Sequence, residues 1–363
     1  MTTLRALFTA FAPAYLARSP PLPLSHRQVI RAIHNCQSGH DGQSLSQGPS
    51  CGGQHRVNHS CGNRHCPQCQ QHTTQQWLPH HLDEQLPGPH FLLTFTVPET
   101  RRPFLRSHQR LAYQAMFNAS SLALKRLAKD ERFIGTNLPG CTGVLPTWGR
   151  QLQYHPHIHS IVPGGGLAKD CTTWRPSRAT FFVPVKALSP LYRARFQEDM
   201  RHAGLREQID QQVWTIPWNV HSQAHPHAHS ALHSLAPSVF KVAIANSRIV
   251  GLKDRTVTVT SRQPGSARPR TTNLDAIEFL RRFLQQVLPD GFMKGRHCGF
   301  LHASCAIPLD TVRLLILQAH SADFTPTPLT PPAPCVAFCP TCGGQMRGVM
   351  RLWTTHRTFA DPG

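Results

Sequence analysis

The amino-acid sequence predicts an α+β protein on three observations. Residues 1–88 hold five cysteines between Cys36 and Cys69 but little continuous apolar sequence, so this first domain needs more than a core to hold it. From residue 89 to 300, short apolar strands are separated by amphipathic helices, the alternation of a larger α+β domain. The tail, residues 301–363, carries the proline-rich stretch Thr325–Pro334, read as a linker, and a last cysteine pair.

In chain order, Leu4, Leu7, Phe8 and Phe11 share helical spacing, and Pro20–Pro21 ends that helix. The same stretch has Arg5, Arg18 and no acidic residue, which faintly resembles a transit peptide; an ordinary amphipathic helix accounts for it better. Phe91–Val97 reads as a buried strand stopped by Pro98. A helix from Pro103 to Lys129 offers Leu105, Leu111, Met116, Leu122 and Leu127 to one buried side. His155–Val162 is a strand closed by Pro163 and the run Gly164–Gly165–Gly166. Ala179–Val185 reads as a strand leading to a helix over Pro190–His202, and Val213–Pro217 as a short strand. Arg248–Leu252 and Arg255–Thr260 make a hairpin over Lys253–Asp254. A helix over Leu274–Leu288, capped by Thr272 or Asn273, buries Ile277, Leu280, Phe283, Leu284 and Val287 opposite Arg281.

Lys and Arg number 38 against 18 Asp and Glu, a formal charge of +20 with a pI near 10.3. Such a field favours a polyanionic partner. No apolar run reaches the roughly 18 residues of a membrane span, which points to nucleic acid rather than a membrane. No secretory signal is read, so the expected location is the cytoplasm. The 12 cysteines are then metal ligands or reduced thiols rather than a disulfide framework.

The cysteine segment runs Cys36-x3-His40, then Cys51, then Cys61-Gly-Asn-Arg-His65-Cys66-Pro-Gln-Cys69. Thiolates at C-x2-C spacing reach one tetrahedral Zn²⁺ because a tight turn brings both sulfurs to one side. Cys66 and Cys69 have that spacing, and Cys61 with His65 is available to complete a site. Free buried thiols are the bland alternative, poorly matched to so dense a cluster. The ligand pairing stays open. Cys339-x2-Cys342 before Gly343–Gly344 is a lone, weaker knuckle that Cys335 could join, with no fourth ligand evident.

His155-Pro-His157-Ile158-His159 carries the most chemistry. Residues two apart on a strand share a face, so His157 and His159 present two imidazoles side by side while Ile158 points into a core. Two neutral imidazoles and one further ligand hold a divalent ion with positions open to substrate oxygens. The competing reading is surface histidine in a chain with 24 of them. A second run, His225-Pro-His227-Ala-His229, lies between His221 and His233 and reads as a solvated loop.

The strings NHSCGNRHCPQCQ, FLLTFTVPET, TWGRQLQYHPHIHSIVPGGG, VFKVAIANSRI and EFLRRFLQQVLPDGF, in this order, resemble rolling-circle transposases of the insertion sequence ninety-one family. These are HUH-type endonucleases with a zinc-binding N-terminal domain, and the resemblance covers residues 25 to 300. It implies a central antiparallel sheet flanked by helices, and a strand transferase acting on single-stranded transposon ends at the bacterial nucleoid. It also implies Mg²⁺ or Mn²⁺ held by His157 and His159, with the third ligand unplaced. In that family a tyrosine attacks the scissile phosphate, leaving a 5′-phosphotyrosine and a free 3′-hydroxyl.

Three departures set this chain apart. Where the family reads YLAPYVFKVAISN, this chain has Ser234-Leu-Ala-Pro-Ser238-Val-Phe-Lys241, so both tyrosine positions are serine. An aliphatic hydroxyl is far less acidic than a phenol at about 10 and reaches less far, so nicking is expected to be impaired. Gly48 stands where the family has a cysteine three before Cys51, and Pro146 replaces the histidine of LHTWG, removing a backbone donor. The remaining tyrosines, Tyr15, Tyr113, Tyr154 and Tyr192, read as packing residues. Arg64, Lys241, Arg248, Arg281 and Arg282 are candidate phosphate contacts. The rival reading is a non-catalytic zinc-dependent nucleic-acid-binding protein. A metallohydrolase ranks last, for want of H-E-x-x-H or paired carboxylates.

Overall fold

The computed structural model describes residues 2–70, 86–240, 243–261, 268–320 and 337–353. The expected linker Thr325–Pro334, Cys335 and Lys241 lie outside them. The chain opens with helices α1 (Leu4–Arg18) and α2 (Leu24–Asn35), then strands β1 (Gln43–Gln47) and β2 (Gln54–Asn58). Next come β3 (His90–Thr96), α3 (Arg102–Ser107), α4 (Gln109–Ala128), β4 (Leu138–Pro139) and β5 (Cys141–Val144). The middle of the chain forms β6 (His157–Pro163), β7 (Gly165–Leu167), β8 (Trp174–Pro176), α5 (Val185–His202), β9 (Val220–His225) and α6 (Ala228–Phe240). Then follow β10 (Ile249–Lys253), β11 (Thr256–Ser261), β12 (Arg270–Asp275) and α7 (Ala276–Leu284). The last elements are β13 (Gly295–Cys298), α8 (Leu309–Ala319) and β14 (Arg347–Leu352). The architecture is mixed α and β, with antiparallel sheets.

The elements gather into two units. The first takes Met1–Thr73, Val242–Val287 and Pro331–Gly363. It holds two three-stranded sheets, ordered β14-β1-β2 and β10-β11-β12. Phe8 of α1 meets Phe283 of α7 edge-on at 5.4 Å.

The second unit takes Thr74–Lys241 and Leu288–Thr330. Its centre is a five-stranded antiparallel sheet ordered β13-β5-β6-β3-β9. Strand alternation divides its two faces. Phe91, Leu93, Phe95, Ile158 and Val162 pack with Tyr113, Met116 and Leu124 of α4 and Tyr192 and Phe196 of α5. Leu92, Val144 and Ile161 project to the other face, against Ala231 and Leu235 of α6.

Several expected elements take a different form. The helix expected over Pro103–Lys129 is broken at His108, where the backbone leaves the helical region at φ −121°, ψ 41°. Leu111 and Leu122 are 49% and 44% exposed, because the buried stripe is built on Ala112, Met116, Ala119, Ala123 and Leu127. Ala179–Val185 is not a strand: Phe182 and Val183 are buried in a turn, and α5 starts at Val185. Val213 lies in a 3-10 turn, Gln211–Trp214, capped by the Asp210 carboxylate, which accepts from the Gln212 amide. The β10–β11 loop is Asp254–Arg255, one residue later than expected, and both residues have positive φ, as a tight hairpin requires. Leu274 belongs to β12, and Asp275 caps α7 in place of Thr272 or Asn273, accepting from the amides of Ile277 and Glu278. The run His225–His229 is no loop: it ends β9 and starts α6. Cys141 and Cys298 are joined in a disulfide across the paired strands β5 and β13, against the expectation of reduced thiols.

The exposure difference within α4 gives a direct check. Leu124→Ala is expected to destabilise the protein by roughly 2–5 kcal/mol, and Leu122→Ala by under about 0.5 kcal/mol, in urea unfolding followed by circular dichroism.

Candidate metal centres

His157 and His159 lie on β6, between β5 and β3, on the face opposite Ile158. Their Nε2 atoms are 3.1 Å apart and the ring planes are inclined at 85°. Each ring is fixed from behind. The His155 carbonyl, 2.8 Å from His157 Nδ1, can only accept, so His157 carries its proton there and offers Nε2 as a lone pair. Thr94 Oγ1 stands 2.9 Å from His159 Nδ1 and fixes the second ring; with the hydroxyl accepting, His159 has the same tautomer and also offers Nε2 as a lone pair. At this distance the two nitrogens either share one proton in a hydrogen bond or present two lone pairs to a cation between them. Nitrogens about 2.1 Å from one ion, at a right angle, stand about 3 Å apart. The observed spacing has that value.

Burial pushes His157 down to about 3, helped by the His159 ring, and His159 to about 4, helped by His155. Both imidazoles are therefore neutral near pH 7, the form that binds metal. His155 is also lowered, by burial and by Arg102, whose guanidinium donates to His155 Nδ1 at 2.7 Å. Arg102 is paired in turn with Glu99. The sequence reading passed over Arg102 and Thr94, because neither is near the histidines in the chain.

The β5–β6 register sets Val144 opposite His159, and past the end of β5 the chain carries Pro146 alongside His157. The His157 amide donates to the Pro146 carbonyl at 3.1 Å. Proline has no amide to return, and β5 ends at Val144. Among the described residues, no third imidazole, thiol or carboxylate joins the pair within 4.8 Å.

Helix α6 packs on the sheet face that carries the two histidines, through Ala231 and Leu235. Ser234 on this helix is exposed, and its hydroxyl donates to the Ser230 carbonyl at 3.0 Å. Ser238 lies in the last turn of the helix, beyond the residues whose side chains are described. His229 and His233 pair on the outside of α6, Nε2 to Nε2 3.2 Å.

All four tyrosines are buried. Tyr113 and Tyr154 share a hydroxyl hydrogen bond of 2.6 Å in the core on the opposite face from the imidazole pair. Burial pushes Tyr113 up to about 12 and raises Tyr154 and Tyr192 as well. Tyr113, Tyr154 and Tyr192 offer no phenolate to the histidine face. Of the candidate phosphate contacts, Arg281 and Arg282 are paired with Glu278, Arg248 donates to the Thr260 carbonyl, and Arg64 is exposed.

In the first unit the thiols of Cys36, Cys61, Cys66 and Cys69 converge within 4.8 Å of one another. Neighbouring sulfurs are 3.6 to 3.8 Å apart, close to the edge of about 3.8 Å of a tetrahedral zinc–thiolate site. Four sulfurs this close cannot all ionise without a cation: hydrogen bonding with Cys36 pushes Cys61 upward and Cys66 up to about 12. His40 and His65 lie outside the tetrad, and His40 bonds Asn35 and Asp41. Cys51 stands elsewhere, with Cys339 and Cys342.

Comparison with known proteins gives these centres a family. Residues 140–307 match a family described as "Putative transposase", a span that includes His157, His159 and Ser234. Residues 7–97 match the "Transposase zinc-binding domain", which includes the Cys36–Cys69 tetrad. A protein of Sinorhizobium fredii, "Putative transposase y4qJ", is 32% identical over 315 residues, 81% of this chain and 79% of its own length. The "Transposase for insertion sequence element IS801" of Pseudomonas savastanoi pv. phaseolicola is 35% identical over 108 residues, 30% of this chain and 25% of its own length. No solved structure matches. No helix among the described residues is long and apolar enough to cross a membrane. The chain belongs to the IS91-type transposases with an N-terminal zinc-binding domain.

Proposed function

We propose that the second unit is an HUH-type strand-transferase domain acting on single-stranded transposon ends, impaired in this chain by loss of its nucleophile. The observation that carries this reading is the pair of neutral imidazoles 3.1 Å apart on a central strand, with α6 on the same face of the sheet. His157 and His159 would hold Mg²⁺ or Mn²⁺, which when bound withdraws charge from a scissile phosphate. Thr94 and the His155 carbonyl keep both rings aimed, and Arg102 supplies a cation beside them. The basic surface retains a polynucleotide, so binding weakens steeply with added salt. The Cys36, Cys61, Cys66 and Cys69 tetrad is a structural zinc site in this reading.

The attacking group is what the chain lacks. Serine stands at both family tyrosine positions, the Ser234 hydroxyl is tied to its own helix, and the four tyrosines are buried. These observations favour a second reading, a zinc-dependent nucleic-acid-binding protein without catalysis. The two readings part on restoration of the phenols. Wild-type protein with a single-stranded end sequence and Mn²⁺ is expected to give no covalent adduct on a denaturing gel. Ser234→Tyr with Ser238→Tyr is expected to give one, lost again on adding His157→Ala. An inert double variant would support the binding-only reading.

Two further outcomes follow from the metal geometry. Pro146→His places a third imidazole alongside His157 and is expected to tighten Mn²⁺ binding about tenfold, or ~1.4 kcal/mol, in an electron paramagnetic resonance titration. An unchanged affinity would count against the pair as the metal site. Cys66→Ser is expected to lower zinc content by one ion per chain and to expose residues 24–58 to proteolysis, since structural zinc binding is linked to folding.

A further inference from the structure

The trio Cys51, Cys339 and Cys342 has no place in the function above, and two of its members lie outside the stretch that matches the zinc-binding family. The sulfurs lie within 4.8 Å of one another, with Cys51 and Cys339 at 3.6 Å, near the spacing of about 3.8 Å expected for thiolates on one zinc ion. They come from opposite ends of the sequence. Strand β14 makes them neighbours by pairing with β1, from Gln43 opposite Leu352 to Gln47 opposite Arg347.

The two turns that carry the sulfurs share one hydrogen-bond pattern. In the first, the Gly48 amide donates to the Gly53 carbonyl at 2.9 Å and the Gly52 amide to the Gly48 carbonyl at 3.0 Å. In the second, the Cys339 amide donates to the Gly344 carbonyl and the Gly343 amide to the Cys339 carbonyl, both at 2.8 Å. The glycine after the last cysteine has positive φ in each, 67° at Gly52 and 68° at Gly343, a conformation few other residues take without strain. The turns therefore correspond position for position: Cys51 with Cys342, and Gly48 with Cys339. One corner of a four-thiolate site is missing, at position 48. A Cβ built there would lie 2.8 Å from the sulfurs of both Cys51 and Cys339, so a side chain at position 48 fits only when those sulfurs shift, as they would on closing round an ion.

An imidazole stands beside the gap. His55, on β2, brings Nε2 to 3.3 Å from Cys339 Sγ. A nitrogen and a sulfur on one tetrahedral zinc are separated by about 3.6 Å, so His55 is in reach of the Cys339 corner, while its ring is not within 4.8 Å of all three sulfurs and must turn toward the ion to complete the set. The Gly53 amide donates to Cys51 Sγ at 3.4 Å, the kind of bond that favours a thiolate.

We propose that Cys51, Cys339 and Cys342 form a second zinc centre with His55 as fourth ligand in place of the thiolate that position 48 lacks. Its role is to staple the tail to the N-terminal sheet, closing an otherwise long loop and holding β14 on β1. The inference stands apart from the histidine pair and from any nicking activity.

The test uses the full chain, expressed with zinc and analysed by native mass spectrometry, with zinc release to a chelator followed over time. Wild-type protein is expected to carry two zinc ions and Cys342→Ser one. His55→Ala is expected to release one ion at least about tenfold faster and the other unchanged. Adding Gly48→Cys to His55→Ala is expected to restore slow release, and Co²⁺ loaded in place of zinc should then show stronger sulfur-to-metal absorption than in wild type. A single zinc ion in wild type overturns the site, and a His55→Ala release curve that overlays the wild type overturns the ligand set. The unchanged ion serves as the internal measure that each variant is folded.

Discussion

The functional half of the molecule depends on the antiparallel pairing of β6 with β3. That ladder places His159 opposite Thr94 and His157 opposite Thr96, and it turns Ile158 toward Phe95 and the helices behind. A slip of one residue would turn the imidazoles toward α4 and α5 and Ile158 toward α6. The packing of Ile158, Val162, Phe91 and Phe95 against α4 and α5 therefore fixes more than stability. It decides that two imidazoles, and not the residues between them, face α6.

A second constraint is electrostatic. Around the histidine pair, burial and neighbouring positive charge all oppose protonation, so the rings are kept as neutral donors even though the protein carries 24 histidines. Arg102 adds a cation at the edge of the pair while also holding His155. A site built this way disfavours a proton on either ring and keeps a guanidinium beside it. The phenols of Tyr113, Tyr154 and Tyr192 lie in the core of the same unit, where burial raises them away from ionisation.

Local signals in the sequence were read well where one residue type enforces one backbone. Pro20–Pro21 marks the end of the first helix, and Pro98 follows the strand that bears Phe91. The signals misled where two readings share a pattern. The apolar residues of 179–185 fill a buried turn as well as they would a strand. Leu111 and Leu122 fit a helical stripe in the sequence, but α4 turns Ala112, Ala119 and Ala123 inward together with Met116 and Leu127. Arg270–Asp275 was missed altogether because four polar residues precede its only buried one, Leu274.

By itself, the sequence determined the face shared by His157 and His159, the density of thiols between residues 36 and 69, the basic field and the serines at positions 234 and 238. These are properties of spacing and composition, carried by the local geometry of strand and turn. Only the tertiary structure decided which sulfurs meet. It joined Cys36 to Cys61, Cys66 and Cys69, left His40 and His65 aside, and brought Cys51 to Cys339 and Cys342 across 288 residues of sequence separation. It likewise set Pro146 alongside His157 and Asp275 under the first turn of α7. Ligand spacing within one turn is written in the chain, whereas a partner from a distant strand is chosen by register and packing that no short window of sequence contains.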